Sequence, residues 1–316
     1  MTVISILVYM LIQSKNKVAD EILSEIKKIG NDPRLLLEKN FNIRLEAIDY
    51  LEFHVIDRIN ALMESRDGSQ RLYSLKEYAQ KIKVHLEEIN NNIFLMFRKK
   101  ICLGSYKGEI LMDFIDEYFD MNVNAFIHHD ETGYDNLDIF LNGILTYRIP
   151  PAETKNREPE MVYYQKTPAR LILELIKRAA FKTNDVFFDL GSGLGQVTIL
   201  VNLLSSVISK GVEFEPAFCN YAKACANDFY LYGVEFLNTD ARYADYSSGT
   251  VFYMYTPFEG KILQEVLQNL NGEAKRRKIR IFTYGPVTPE VARQSWLIKE
   301  YEIGTSSGEF CEFHSV

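Results

Sequence analysis

Val186-Phe187-Phe188-Asp189-Leu190-Gly191-Ser192-Gly193-Leu194-Gly195-Gln196 is the stretch on which the fold of the C-terminal half turns. Its first five residues form a short apolar run, the mark of a buried strand. From Gln196 to Ser206 apolar residues return at helical spacing. Three glycines stand between strand and helix, where bare backbone turns tightly and admits a ligand that a Cβ would repel. About 20 residues on, Gly211-Val212-Glu213-Phe214 reads as a second strand ending in an acid, placed to accept hydrogen bonds from both hydroxyls of a ribose. A glycine loop alone is a weak signal. Loop, strand context and spaced acid together predict a nucleoside site.

NAD and S-adenosylmethionine both suit that pattern, and the details separate them. The dinucleotide fingerprint is GxGxxG/A, whose small third residue packs helix against strand. Here the third glycine comes one place early, at Gly195, and Gln196 stands where the small residue belongs. A pyrophosphate also needs a helix N-terminus aimed at its charge. S-adenosylmethionine has no phosphate, and its methionine ammonium suits Asp189 at the strand end, directly or through water. NAD is the second choice.

Outward from this site the alternation continues. Ala169 to Ala180 reads as a helix with Thr167 as N-cap and Pro168 at its first position. Pro216 to Tyr230 is a helix, Val234 to Leu237 a strand, and Thr250 to Tyr255 and Lys278 to Tyr284 are strands around a helix at Lys261 to Leu270. Strands alternating with helices imply parallel pairing through right-handed crossovers. Leu297 to Ile303 and Glu309 to Ser315 flank Gly304-Thr305-Ser306-Ser307-Gly308 and read as a terminal hairpin. The expected architecture is α/β: a Rossmann-like, seven-stranded, mostly parallel sheet with an antiparallel last strand, preceded by an all-α domain.

That all-α domain covers residues 1–147. Ile48, Leu51, Val55 and Ile59 recur at helical intervals, as do Tyr78, Ile82, Leu86, Ile89 and Ile93. Turn signals fall at Gly30-Asn31-Asp32-Pro33, Asp67-Gly68-Ser69 and Thr132-Gly133-Tyr134. The apolar run Thr2 to Ile12 is shorter than the ~20 residues a bilayer needs and lacks the flanks of a signal peptide, so it is read as a buried first helix. Pro150, Pro151 and Pro159 break the periodicity and place the domain boundary, with 148–167 as a linker or lid and 148–316 as the nucleoside-binding domain.

The 316 residues carry a formal net charge of −7. A protein built to neutralise phosphates shows a basic face and high pI, so broad nucleic-acid binding is disfavoured. The four cysteines form no CxxC pair, which predicts reduced thiols in a cytoplasmic protein and no metal centre.

Residues from about Met161 onward resemble the class I S-adenosylmethionine-dependent methyltransferases. Asp189 to Gln196 matches their first motif, and Gly211-Val212-Glu213 their ribose-binding acid. Asn238-Thr239-Asp240-Ala241 resembles the end of the third strand, where an Asp meets the adenine amino group. Tyr255-Thr256-Pro257-Phe258 lies where the fourth strand delivers side chains beside the reactive methyl. A narrower likeness is to the non-SET histone-lysine methyltransferases of the disruptor-of-telomeric-silencing type. These share Asp-Leu-Gly-Ser-Gly-x-Gly-Gln, then Gly-Val-Glu, and a Tyr-containing loop similar to Tyr163-Tyr164-Gln165-Lys166-Thr167-Pro168. The chain departs from them in having Tyr-Thr-Pro-Phe for Asn-Asn-Phe and in lacking a long basic tail. Its helical first half fits better with bacterial methyltransferases of this general type.

The resemblance implies S-adenosylmethionine as cofactor, held by Asp189, Gly191, Ser192, Gly193, Gly195, Gln196, Glu213, Asp240 and Ala241, with Tyr164 and Thr167 from the preceding loop. Methyl transfer is mainly alignment of acceptor, methyl and sulfur. An amine acceptor must be neutral, a form that desolvation favours. The candidates for the aromatic wall are therefore Tyr255, Phe258 and Tyr164, with Thr256 as a hydrogen-bonding group. The acceptor is left open among protein lysine, another side chain and a small amine or hydroxyl compound. The rival readings are an NAD-linked oxidoreductase and a non-catalytic nucleoside-binding module.

Three other features read more plainly. His128-His129-Asp130-Glu131 lacks metal-ligand spacing and is taken as a polar loop. Lys275-Arg276-Arg277-Lys278, with Arg280 beyond, is taken as a solvated run. Tyr284-Gly285-Pro286-Val287-Thr288-Pro289 is either plain turn chemistry or a border of the acceptor pocket.

Overall fold

The computed structural model describes residues 3–64, 70–119, 133–145, 148–305 and 308–316. The Asp67-Gly68-Ser69 turn, the His128 to Glu131 loop and Ser306-Ser307 in the final turn lie outside them, as do the side chains of the apolar N-terminal run. The chain falls into two compact units, Met1–Met96 and Phe97–Val316. No helix among the described residues is long and apolar enough to cross a membrane.

The first unit is helical. Helix α1 (Val3–Gly30) leads to a 3-10 turn (Pro33–Leu36), to α2 (Phe41–Asp49), a π-helical stretch (Tyr50–Ile56) and α3 (Asp57–Glu64), then to the long α4 (Gln70–Cys102). Ile48, Leu51, Val55 and Ile59 are all buried, the face their spacing predicts. The π winding beneath two of them, Leu51 and Val55, leaves no trace in the spacing. Leu75, Ala79, Leu86 and Ile93 are among the buried residues of α4, whereas Ile82 and Ile89 are half-buried and Tyr78 is exposed. It sits one step around the helix from Ala79, so its ring flanks the buried face instead of joining it.

At the centre of this unit Arg44 is fully buried. Its guanidinium donates to the carbonyls of Leu35 and Leu37, 2.9 Å each, and to Oδ1 of Asn90 at 2.6 Å. Carbonyls at a helix end carry negative partial charge and have no helical partner. One arginine therefore closes the 3-10 turn and ties it to α4.

The second unit is built on one seven-stranded sheet of order β3-β2-β1-β4-β5-β7-β6. The strands are β1 (Val186–Leu190), β2 (Ile208–Glu213), β3 (Val234–Asn238), β4 (Val251–Tyr255), β5 (Arg280–Tyr284), β6 (Leu297–Thr305) and β7 (Gly308–Ser315). The first five pair in parallel, and β7 pairs antiparallel with both β5 and β6. This is the expected sheet with its antiparallel end. Phe188, Phe252 and Phe282 in the central strands are fully buried, as strands covered on both faces require. Crossovers run through α8 (Gln196–Ser205), α9 (Pro216–Asp228) and α10 (Gly260–Ala274). Helices α5 (Glu109–Tyr118), α6 (Asn136–Leu145) and α7 (Ala169–Ala179) complete the unit, and a short α11 (Thr288–Ala292) follows β5.

Two readings are corrected here. Thr167 does not cap α7: Pro168 occupies the cap with φ −54 and ψ 136, and the Ala169 N–H donates to Oδ1 of Asp138 on α6 at 2.8 Å. A partner distant in sequence has displaced the local cap. The basic run is solvated only in part. Arg277 donates to the Tyr246 and Gly249 carbonyls and pairs with Glu273, while Arg280 pairs with Asp185 at 3.2 Å. Both guanidinia close turns at the strand ends.

Replacing Arg44 by Met leaves the Leu35 and Leu37 carbonyls without their donor. The expected loss is about 3 kcal/mol of stability, read as a lower urea midpoint by circular dichroism.

Candidate functional site

The strand order reverses between β1 and β4, and in doubly wound sheets ligands bind beyond the strand ends at such a switch point. A cleft of about 760 Å³ opens there. Gly191 and Gly193 line it after β1, Glu213 and Phe214 after β2, Asp240 and Ala241 after β3, and the segment Tyr255 to Phe258 after β4. The sequence candidates from four separate strand ends thus share one cavity.

The loop after β1 bends because Gly191, Gly193 and Gly195 take φ values of 78, 53 and 84°, a region that side-chain-bearing residues avoid. The bend lets the N–H groups of Gly191 and Ser192 both reach the Val212 carbonyl of β2, at 2.9 and 3.0 Å. A Cβ on Gly193 would stand 2.2 Å from the Tyr164 ring, and one on Gly191 2.2 Å from Pro257. Gly195 serves a different purpose. Its Cβ would meet Phe236 at 2.6 Å and Ala222 at 2.7 Å, so its bareness lets α8 sit close to β3 and α9.

Glu213 is tied to that loop. Its Oε2 accepts the Gly193 N–H and its Oε1 the Glu215 N–H, both at 2.7 Å. Burial pushes this carboxyl up, and those N–H groups pull it back. Each oxygen keeps a further lone pair for a hydroxyl. Asp189 accepts from the Thr198 hydroxyl at 2.9 Å. Complete burial pushes it up to about 7, against that hydrogen bond and with Glu213 adding a little.

Behind Tyr164 lies a smaller cavity of about 330 Å³, lined by Thr167, Asp189, Ser192, Gln196 and Tyr253 among others. The Ser192 hydroxyl and both amide atoms of Gln196 are buried there without a hydrogen-bond partner. Buried polar groups are nearly always satisfied, so these atoms leave acceptor and donor positions open to water or to polar ligand atoms. Thr167 shares a hydrogen bond of 3.1 Å with the Tyr253 hydroxyl.

Two of the three aromatic candidates meet where the two cavities adjoin. Tyr164 and Tyr255 line both. Tyr164 packs edge-on to Phe218 at 5.7 Å, and Tyr255 lies 4.7 Å from Tyr284. Burial raises both hydroxyl pKa values, so the rings stay neutral. Phe258 is buried in the sheet core with Ile262 and pairs with Met161 in an isolated antiparallel bridge. Thr256 has φ 41°, a strained value for a β-branched residue. Its hydroxyl donates to the Tyr284 carbonyl at 3.2 Å and accepts the Val287 N–H at 3.3 Å. Asp240 turns both oxygens to the Arg242 guanidinium, at 2.7 Å for the closest pair.

The stretch Tyr284 to Pro289 forms a 3-10 turn (Gly285–Val287) leading into α11. Pro286 and Val287 border a second, open cleft that continues from Thr256 and Phe258. The stretch is thus a turn, as its Gly-Pro chemistry predicts, and that turn also borders a cleft.

Sequence reasoning missed the residues that hold the linker over the site. The Val162 N–H donates to the Pro257 carbonyl at 3.1 Å, and the Glu259 N–H to the Glu160 carbonyl at 2.8 Å. Glu160 Oε2 accepts the Ile262 N–H at 2.9 Å, and the Tyr134 hydroxyl donates to the Lys166 carbonyl. Glu215 binds Thr154 and Lys155. Only Glu215-Pro216 carried a local signal, that of a helix start.

Comparison with known proteins gives the following likenesses. Residues 157–252 match the family described as histone methylation protein DOT1. No curated protein matches the chain in sequence. Among solved structures, an RNA methyltransferase from Salinibacter ruber in complex with S-adenosyl-L-homocysteine is 19% identical, with a TM-score of 0.41, over 48% of this chain and 94% of that one. The ribosomal protein L11 methylase from Lactobacillus delbrueckii subsp. bulgaricus is 14% identical, with a TM-score of 0.38, over 50% and 83%. A SAM-dependent methyltransferase from Aquifex aeolicus is 16% identical, with a TM-score of 0.38, over 48% and 94%.

The electrostatics of Asp189 can be checked without a ligand. Its folded pKa of about 7 lies above its ordinary 3.8, so the folded chain keeps a proton that the unfolded chain releases. That stabilisation is complete below about 4 and is lost as pH rises through about 7. Asp189→Asn removes the ionisation. Its melting temperature, relative to the unaltered chain, is expected to be higher at pH 8 than at pH 5; an equal difference at both would contradict the assignment.

Proposed function

We propose that this chain is an S-adenosylmethionine-dependent methyltransferase acting on an amine, with a protein lysine as the foremost acceptor. The observation that carries the reading is the 2.7 Å hydrogen bond between the Gly193 N–H and Glu213. It joins the bare loop and the ribose acid in one cleft at the switch point of the sheet. The DOT1 match over residues 157–252 covers the linker from Arg157 onward and both motifs; it supports the same reading, and the sequence's likeness to the histone-lysine methyltransferases favours lysine.

The chain's groups fit the parts of this cofactor. Glu213 is placed for the ribose hydroxyls, and Phe214 with Ala241 for the apolar faces of an adenine. Asp189 suits an ammonium. The unpartnered Ser192 hydroxyl and Gln196 amide suit a carboxylate. Gln196 fills the position where a dinucleotide site needs a small residue, which counts against NAD.

When bound, S-adenosylmethionine supplies a methyl group already activated by its sulfonium. The protein's contribution is then alignment and exclusion of water. Tyr164 and Tyr255 flank the junction between the two cavities and wall the acceptor nitrogen from solvent. The same wall lowers the pKa of a lysine ammonium by desolvation and so favours its reactive neutral form. The strained turn at Thr256 fixes the end of β4, and with it Tyr255 and Phe258. The second cleft, past Pro286, meets the first at Thr256 and Phe258 and offers the acceptor an approach from that side.

Calorimetric titration with S-adenosylhomocysteine and with NAD tests the cofactor. Saturable heat is expected from the first and none from the second; heat from NAD alone would overturn the reading. Affinity for S-adenosylhomocysteine is expected to fall as pH drops through about 7, where Asp189 takes up its proton, and Asp189→Asn should flatten that profile. Methyl-labelled cofactor incubated with a cell extract should then label a protein fraction, with mass analysis placing the methyl on lysine. Label confined to RNA or small molecules would refute the acceptor assignment.

A further inference from the structure

The segment from Thr154 to Tyr164 crosses the cleft with no helix and no strand beyond the bridge at Met161. Met161 packs on the sheet core and Tyr164 on Phe218, but the residues are mostly exposed and apolar burial alone does not hold them. Polar anchors supply the rest, and they stand at three successive strand ends. Glu160 binds the start of α10, after β4. Arg242, after β3, links Glu158 at 2.5 Å to Asp240 at 2.7 Å. Glu215, after β2, makes the densest attachment.

Glu215 Oε2 accepts the N–H groups of Thr154 at 3.0 Å and Lys155 at 2.7 Å. Its Oε1 accepts the Thr154 hydroxyl at 2.5 Å and the Ala217 N–H at 2.9 Å. Four donors use every acceptor position that a carboxylate offers. Burial opposes ionisation, but these bonds outweigh it and hold the carboxyl at about 2. Through its own N–H the residue also reaches Glu213. From this attachment the strap carries three side chains over the site. Lys155 Nζ lies 3.4 Å from the centre of the Phe214 ring, Arg157 stacks on Tyr163 at 3.3 Å, and Tyr164 lies on Gly193.

We propose that Glu215 is a positioning residue for the cofactor: its carboxylate fastens the strap so that the strap roofs the nucleoside. This rests on the methyltransferase reading above. The plain alternative is that Glu215 only caps α9 through the Ala217 N–H. Serine separates the two roles, because it is a preferred N-cap but too short to span to Thr154 and Lys155. Glu215→Ser therefore keeps the cap and releases the strap. Thr154→Val leaves Glu215 intact and removes one donor.

The experiment measures S-adenosylhomocysteine affinity by calorimetry and tryptic cleavage after Lys155 and Arg157, in the full chain and both variants. Glu215→Ser is expected to fold with a lower melting temperature, because the bonds that hold the carboxyl at about 2 go with it, to weaken binding about tenfold or more, the scale of losing charge-assisted bonds, and to be cleaved faster in the strap. Saturating ligand should protect the strap of the unaltered chain but not that of the variant. Thr154→Val should weaken binding about threefold and decides the matter if Glu215→Ser does not fold. Unchanged affinity and cleavage in the folded variants would overturn this role alone. Absence of S-adenosylhomocysteine binding by the unaltered chain would overturn the methyltransferase reading and this role with it.

Discussion

A backbone can double back from the end of one parallel strand to the carbonyl of its neighbour only if the turning residues tolerate left-handed torsions. Gly191 and Gly193 meet that condition, and the contacts of the site follow from it. The turn places two N–H groups on Val212 and a third on Glu213. It leaves so little height above the loop that Pro257 and Tyr164 rest where side chains would stand. The floor of the cleft is backbone, while its walls arrive from three other strand ends and from the strap.

Electrostatics explains why the walls stay where they are. Two acids stand near one another at the floor, and burial raises both. The loop N–H groups offset part of that cost for Glu213, whereas Asp189 is bound by Thr198 and ionises only near neutrality. A cation beside Asp189 would relieve the strain. Around the rim the acids behave in the opposite way: Glu215, Glu160 and Asp240 are held ionised by N–H groups or by Arg242. The floor is thus poised for charge and the rim is already satisfied, a division that makes the rim structural and the floor receptive.

The legible parts of the sequence were those whose cause is local. A strand, a glycine turn and a helix follow one another within eleven residues, and the acid arrives one strand later, so spacing alone revealed them. The terminal hairpin and the parallel alternation were readable for the same reason. What stayed hidden depends on partners far away in sequence. Asp138 takes over the cap expected of Thr167, 31 residues from the N–H it binds. Glu215 anchors Thr154 across 61 residues, and Arg44 reaches Asn90 across 46. Such pairs leave no period to count. The π-helix at Tyr50–Ile56 was hidden differently, since its apolar residues keep ordinary helical spacing.

The most direct test is a crystal structure of the chain soaked with S-adenosylhomocysteine. Density for the nucleoside is expected between the Gly191 to Gly193 backbone and the strap, with both ribose hydroxyls on the Glu213 carboxylate and the sulfur facing Tyr255. A crevice closed by Tyr164 and Pro257, with the nucleoside absent or bound elsewhere, would contradict it.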